Sequence, residues 1–410
     1  MSLLPEYGQR LSSLSFAGLA MIATAGPAAD LPAPAGQIPG IAHTNVIVPA
    51  EPWSIHVARV SRAGFSYEIQ SRHADAGALG MSTLSRQVAD LNPEHGRPVA
   101  AINGGFYQRD KIYGGAARGL QIVEGEVLSA PGGGPCFWVD VGGEPHLTHI
   151  ASQFQMTWPQ GETTPFGLNE ERRDGAVVLY TPAIGASTHT KGGLEFVLER
   201  QEGSRWLPLR VGRGLAARVR AIQTNGNTPL TPDIMVLSAG PNIMSRFQTI
   251  TVGAVLQVYP ASSPSLSVAR NALSGGPVLI HQGKQQKIRA SPDDAYELSS
   301  MLERHPRTAI GWNKDWYYLV VVDGRQRDLS DGMTLDELAT FLGKLGCDEA
   351  LNLDGGGSST LWFDGSVRNS PCDGYERPIA NSLVVLQKEP KSTKRTAQNQ
   401  ARPSERTWPQ

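Results

Sequence analysis

The residues best suited to chemistry fall in one run, Ala350-Leu351-Asn352-Leu353-Asp354-Gly355-Gly356-Gly357-Ser358-Ser359-Thr360-Leu361. Strand alternation places Leu351 and Leu353 on one face, Asn352 and Asp354 on the other. Three consecutive glycines permit backbone dihedrals closed to other residues and let a ligand approach the main chain. Successive N–H groups in such a turn can form an anion-binding nest, and Ser358, Ser359 and Thr360 add hydroxyl donors. Asp354 brings a carboxylate to the mouth of the turn. A tight turn with a capping Asp has a similar composition. A run this long of small and polar residues between apolar strands favours a site.

Four other segments share the form of a strand ending or starting at a polar turn. Pro98 to Ile102 runs into Asn103-Gly104-Gly105-Phe106-Tyr107. A strand ending near Ser274 meets Gly275-Gly276-Pro277. Arg307 opens Arg307-Thr308-Ala309-Ile310-Gly311-Trp312, and Arg377 precedes Ile379-Ala380-Asn381 at the start of the last strand. Taken singly these are turns and surface arginines, although Arg is the usual bidentate partner of phosphate.

Several familiar chemistries are excluded. There is no P-loop, no H-E-x-x-H and no C-x-x-C. Gly212-Arg213-Gly214-Leu215-Ala216-Ala217 fits a dinucleotide fingerprint in letters only, because a strand pattern continues where that motif needs a helix. Gly356 to Thr360 lacks the final glycine of a nucleophile elbow. His146 and His149 are spaced for one face of a helix, yet they lie in a strand pattern. Cys136, Cys347 and Cys372 match no zinc spacing, and the sequence does not choose a pairing among them. No cofactor is implied; a divalent ion beside Asp354 is left open.

The elements that must position these residues are mostly strands. Hairpin patterns turn at Glu124-Gly125, Gly142-Gly143 and Asp364-Gly365, and Trp316 to Val322 is an apolar strand closed by Asp323-Gly324. Thr334 and Glu337 form a capping box ahead of Leu335, Leu338, Ala339, Leu342 and Leu345, with Gly346 as the stop. Further helices are expected over 293–303 and 82–91. Strands dominate without βαβ alternation, which predicts an α+β fold with strand-rich mixed sheets and a few packing helices. The 45 Gly and 29 Pro suit many tight turns, and 40% hydrophobic residues exclude a disordered chain. A net charge of −1 gives no general attraction to nucleic acid. The expected organisation is an export signal over 1–25, a linker over 26–40, a strand-rich part over 41–94, a main domain over 95–387 and a disordered basic tail over 388–410. No segment is long and apolar enough for a transmembrane helix. The location implied by the leader is exported, periplasmic or extracellular.

The set NGGFY, GGPVL, RTAIGW, LNLDGGGSSTL and RPIANSLVV, in this order, resembles the phosphodiester glycosidases, the family of N-acetylglucosamine-1-phosphodiester α-N-acetylglucosaminidase and of bacterial exopolysaccharide-related proteins. The resemblance covers residues 95 to 387. It implies hydrolysis of a glycosyl-1-phosphodiester at the anomeric C–O bond, with a phosphate-bearing glycan as partner. On that reading Asp354 is the base or nucleophile and Arg307 and Arg377 hold the phosphate. Gly355, Gly356, Gly357, Ser358 and Ser359 cradle its oxygens. Asn103, Gly104, Gly105, Ser274, Gly275, Gly276, Asn352 and Asn381 complete the substrate site. Asp323 and Asp373 are weaker candidates for a second carboxylate. Two rivals share these residues: a phosphodiesterase attacking phosphorus, and a non-catalytic glycan-binding or exopolysaccharide-assembly protein using Trp53, Trp158 and Trp206.

Overall fold

Alternating apolar residues decide which face each strand buries, and here they bury both. In the strand Trp53–Ser61, Ala58 and Val60 enter one core while Ile55 and Val57 enter another. In Trp316–Val322, Tyr317, Leu319 and Val321 face the first core and Tyr318, Val320 and Val322 the second. The same division recurs in Asn381–Gln387, where Leu383 and Val385 enter the first core and Val384 and Leu386 a third. A sheet buried on both faces must be an inner layer.

The computed structural model describes residues 38–65, 67–74, 78–109, 112–288 and 298–388. One sheet has seven strands in the order Ile41–Val48, Trp53–Ser61, Trp316–Val322, Arg307–Trp312, Glu349–Asn352, Val278–His281 and Lys284–Gln285. It shares its inner core with a five-stranded sheet ordered Ser366–Val367, Leu361–Phe363, Arg97–Asn103, Asn381–Gln387 and Tyr67–His73. The helix Leu335–Lys344 covers the outer face of the first sheet, and Leu84–Ala89 that of the second. The result is a helix–sheet–sheet–helix stack. The longer helix starts at the expected Thr334–Glu337 capping box and buries Leu335, Leu338 and Leu342, each contributing about 1.5–3 kcal/mol. Gly346, at φ +79°, follows its end.

A second five-stranded sheet, containing Gln121–Val123, Ala269–Ser274 and Pro135–Asp140, packs with an eight-stranded sheet through a separate core around Phe154, Phe196 and Leu237. Among the described residues every strand pairing is antiparallel except that of Gly167–Leu168 with Val177–Tyr180, and there are three α-helices. The structure is therefore strand-rich, with several sheets and few helices.

The expected turns at Glu124-Gly125 and Asp364-Gly365 form with both residues at positive φ, as tight hairpins require. The segment after Gly214 is the strand Leu215–Gln223, not a helix. Other details differ. The helix expected over 82–91 is confined to Leu84–Ala89, and that over 293–303 is described only from Leu298 to Leu302. The last strand begins at Asn381, so Arg377 stands in the loop before it. The division at 94 and 95 cuts both layered sheets, since Trp53–Ser61 pairs with Trp316–Val322 and Tyr67–His73 with Asn381–Gln387. The expected export signal, nearly all of the linker and the basic tail beyond 388 lie outside the described residues. Within them no helix is long and apolar enough to cross a membrane. All three cysteines are free.

Candidate active site

The turn after Glu349–Asn352 leaves the seven-stranded sheet and returns as Leu361–Phe363 in the five-stranded one. It therefore bridges the two inner layers. Asp354 lies at the crossing, and a cleft of about 210 Å3 opens above it, lined by Phe106, His305, Arg307, Arg325, Asn352 and Arg377 among others. Alternation is kept: Leu351 and Leu353 bury in the inner core, while Asn352 and Asp354 line the cleft.

Asn103, at the end of its strand, fixes this crossing. Its Nδ2 donates to the Asp354 carbonyl at 2.6 Å, and its Oδ1 accepts from Thr308 Oγ1 at 2.7 Å and from the Thr360 amide at 3.1 Å. It is 1% exposed and ties strands of both sheets to the turn. Its Nδ2 also donates to the Gly104 carbonyl at 3.4 Å, so the place expected for Asn103 in the substrate site is taken by a structural clamp with both donors engaged. Ser359 Oγ lies 3.2 Å from Thr308 Oγ1 in the same buried network.

Asp354 is partly accessible yet surrounded by protein. Burial pushes its carboxyl up to about 6, against the opposing pull of Ser358, the Gly355 amide, Arg377 and Arg109. The Gly355 amide donates to its Oδ1 at 3.0 Å. Ser358 Oγ stands near enough to Asp354 and Tyr107 to affect both, but it makes no hydrogen bond of good geometry and is 1% exposed. Burial also raises the Tyr107 phenol, whose hydroxyl donates to the Pro378 carbonyl at 3.0 Å.

The cations around Asp354 differ in kind. Arg307 is buried; its Nε donates to the Met333 carbonyl at 2.7 Å and its Nη2 to those of Ser300 and Glu303 at 2.6 and 2.7 Å. Burial and Arg325 bring it down to about 10. Bonded to neutral carbonyls, it adds positive charge to the cleft wall. Arg377 pairs with Asp373, Nη2 to Oδ2 at 2.7 Å. Arg325 is exposed, lies over Gly356 and contacts His305 Nδ1 at 3.4 Å. His305 is held below its usual range by burial, Arg325 and Arg307.

The glycines serve packing more than anion binding. A Cβ on Gly104 would strike the Asn381 side chain, one on Gly105 the Ser274 carbonyl, and one on Gly275 the Asn352 carbonyl. The Gly276 amide donates to the Asn352 carbonyl at 2.8 Å. In the central turn the amides of Gly356, Ser358 and Ser359 donate to the carbonyls of Pro306, Gly355 and Gly356. A nest over Gly355 to Ser359 with all its amides facing an anion is therefore not formed. Gly357 has no room for a Cβ, because the Arg377 guanidinium and the Asp373 carboxylate pass where it would be.

Of the expected site residues, the cleft gathers Asp354, Arg307, Arg377, Asn352, Gly355, Gly356 and Gly357. Ser274 lies elsewhere, with its Oγ accepting from the Leu120 amide at 2.7 Å and 3.1 Å from Cys136 Sγ. Asn381 is fully buried behind Gly104, and neither its Oδ1 nor its Nδ2 has a hydrogen-bond partner. Asp323 is buried away from the cleft, accepting from Ser54, Asn369 and the Ser370 amide and contacting His56 at 3.0 Å. Asp373, beside Gly357, is the nearer of the two extra carboxylates. Trp158 is a core residue stacked on Phe247, and His146 stacks on Trp138. Sequence reasoning missed Tyr107, Arg325 and His305, although Tyr107 ends the NGGFY segment and Arg325 follows Asp323-Gly324.

Residues 219–386 match the phosphodiester glycosidase family. The resemblance carried by RTAIGW and LNLDGGGSSTL holds over that span, which includes Asp354 and the cations Arg307, Arg325 and Arg377. An uncharacterized SPbeta prophage-derived protein of Bacillus subtilis is 31% identical over 118 residues, 28% of this chain and 17% of the relative. A solved hypothetical protein from Synechocystis aligns with TM-score 0.68 at 21% identity, covering 85% of this chain and 62% of that one. A solved protein of Burkholderia pseudomallei, described as a candidate exported protein, aligns with TM-score 0.62 at 22% identity, covering 82% and 74%. The two structures share the fold. This chain spans 17% and 62% of the first relatives' lengths, so their whole-protein activities do not transfer to it.

Proposed function

We propose that the protein hydrolyses a glycosyl-1-phosphodiester at the anomeric carbon, on an exported glycan. The observation that carries this is Asp354, the one carboxylate that lines the cleft among the described residues, in a wall that also holds Arg307, Arg325 and Arg377. A glycosidase acting on an ordinary glycoside needs an acid to protonate the leaving oxygen as well as a base or nucleophile. A phosphate leaves as a stabilised anion, so fixed cations can take over much of the acid's task. In the reaction the C1–O bond breaks and its electron pair stays on the phosphate oxygen, beside the arginines. Water supplies the oxygen that bonds C1. Asp354 accepts the water proton, or attacks C1 first and is released by water. Neither course requires Asp323, and Asp373 remains with Arg377.

The test is turnover of a panel of glycosyl-1-phosphodiesters in ¹⁸O-water, with free sugar 1-phosphates as controls. Label in the sugar supports attack at carbon; label in the phosphate supports the phosphodiesterase alternative. Asp354→Asn should lower kcat by about 10³-fold, roughly 4 kcal/mol of transition-state stabilisation. A folded Asp354→Asn protein with near wild-type turnover removes Asp354 from the chemistry. Binding without turnover by the wild type favours a glycan-binding protein.

A further inference from the structure

A second concentration of positive charge shares no lining residue with the cleft. Arg200, Arg205, Arg210 and Arg213 surround Trp206 in a groove of about 310 Å3. An adjoining groove of about 300 Å3 is lined by Arg210 and Arg213 again and adds Arg270. Because they share two arginines, the grooves form one trough with five guanidinium groups. Its one lining carboxylate is Glu124, and the largely buried Glu126 is the other acid near Arg210.

The chain builds this trough at some conformational expense. The segment Gly212-Arg213-Gly214, excluded above as a dinucleotide motif, is its central turn. Gly212 takes φ +74° and donates to the Pro260 carbonyl at 2.7 Å, and the Arg213 amide donates to the Arg210 carbonyl at 3.2 Å. Gly125 leaves the space through which the Arg210 guanidinium passes. Of the five, Arg270 is ion-paired, with Glu68 and Glu124, and nearby Arg218 pairs with Glu199. Arg205 and Arg213 are exposed and, among the described residues, have no carboxylate partner. The unpaired guanidinium groups of Arg205 and Arg213, in a trough with three further arginines, suit a chain of repeated anionic groups, which Arg binds bidentately.

The lining argues for a sugar chain over a nucleic acid. Single-stranded nucleic acid is held by several aromatic platforms for successive bases. Here a single indole is present, and its Nε1 is fixed to the Asp233 carbonyl at 2.9 Å. The trough is also tied to the cleft. The strand Ala269–Ser274 carries Arg270 near one end and runs at the other into Gly275-Gly276-Pro277, where Pro277 lines the cleft. That strand spans about 17 Å at about 3.3 Å per residue.

We propose that this trough binds a linear, phosphodiester-linked glycan chain, apart from the cleft that would cleave it. The choice of a glycan rests on the phosphodiester glycosidase reading; the capture of an anionic chain does not. The experiment measures binding of a size-defined poly(glycosyl-1-phosphate) oligomer to full-length Asp354→Asn protein, which prevents consumption of the probe. Oligogalacturonate, a single-stranded oligodeoxynucleotide of equal charge and neutral dextran are compared at two salt concentrations. The expected result is salt-sensitive binding of the phosphodiester oligomer. The Arg205→Ala/Arg213→Ala double variant, on the same background, should bind at least tenfold more weakly with an unchanged unfolding midpoint. Equal affinity of the double variant overturns the proposal, as does absence of binding. Binding of oligogalacturonate or the oligonucleotide as tightly as the phosphodiester oligomer overturns the ligand assignment. If the oligomer binds through Arg205 and Arg213 but wild-type protein cleaves no glycosyl phosphodiester, the catalytic reading fails and the trough stands.

Discussion

Replacing Asp354 with asparagine should stabilise the protein, and by an amount that depends on pH. An ordinary aspartate titrates near 3.9, whereas burial in the cleft pushes Asp354 up to about 6. At about 1.36 kcal/mol per tenfold change, the folded state disfavours the charged carboxylate by about 3 kcal/mol. The cleft is partly open to water, so about 2 kcal/mol is a realistic value. The sign follows from proton counts: between pH 3.9 and 6 the folded protein holds a proton that the unfolded chain has lost. Stability from this group therefore falls as pH rises through that window, and the full penalty applies above pH 6. Asparagine is neutral throughout and its Oδ1 can still accept from the Gly355 amide. Any loss of contact with Ser358 is independent of pH, so the pH dependence of the difference is the signature. Urea unfolding at pH 8 and pH 5 should show Asp354→Asn gaining about 1 kcal/mol more, relative to wild type, at pH 8. An equal difference at both pH values, or a larger gain at pH 5, would refute the argument that the cleft holds a desolvated carboxylate.

The same titration bears on catalysis. If Asp354 acts ionised, log kcat/KM rises with unit slope below about pH 6 and levels above it; a fall above pH 6 would assign it the acid's role. Asn103→Ala should cost about 3 kcal/mol, read as a lower urea midpoint, because the Asp354 carbonyl, the Thr360 amide and Thr308 Oγ1 all lose a buried partner. Gly105→Ala should destabilise more than Gly104→Ala, since the new methyl meets the Ser274 backbone carbonyl at Gly105 but first the Asn381 side chain at Gly104. Equal unfolding midpoints for the two alanine variants would contradict that packing.

How far the site was legible follows from what kind of signal each residue carries. Period-two alternation is local, and it correctly put Asn352 and Asp354 on the face opposite Leu351 and Leu353. The capping box and the hairpin turns at Glu124-Gly125 and Asp364-Gly365 are local too, and they form as read. What a polar residue at a strand end bonds to is not local. Asn103 and Asn352 look alike in sequence; the first has both side-chain polar atoms engaged by backbone and Thr308, while the second lines the cleft with Oδ1 unpartnered. Glycine is ambiguous for the same reason, because one residue type serves both close packing and anion binding. Gly105 and Gly275 are fixed by carbonyl oxygens of strands far away in sequence, and only the pairing of the sheets reveals it. Arg325 was overlooked because the turn after Trp316–Val322 reads as a hairpin, and a hairpin would carry it onward as the next strand. Instead Arg325 takes φ +57° and its amide bonds the Asp331 carbonyl, so its side chain comes to lie over Gly356. That local conformation, unfavourable for a residue other than glycine, is maintained beside a cleft where a third guanidinium has a use. The strain and the proposed chemistry thus point to the same turn, and an Arg325→Gly variant separates them: relief of strain raises stability, and loss of the cation lowers turnover.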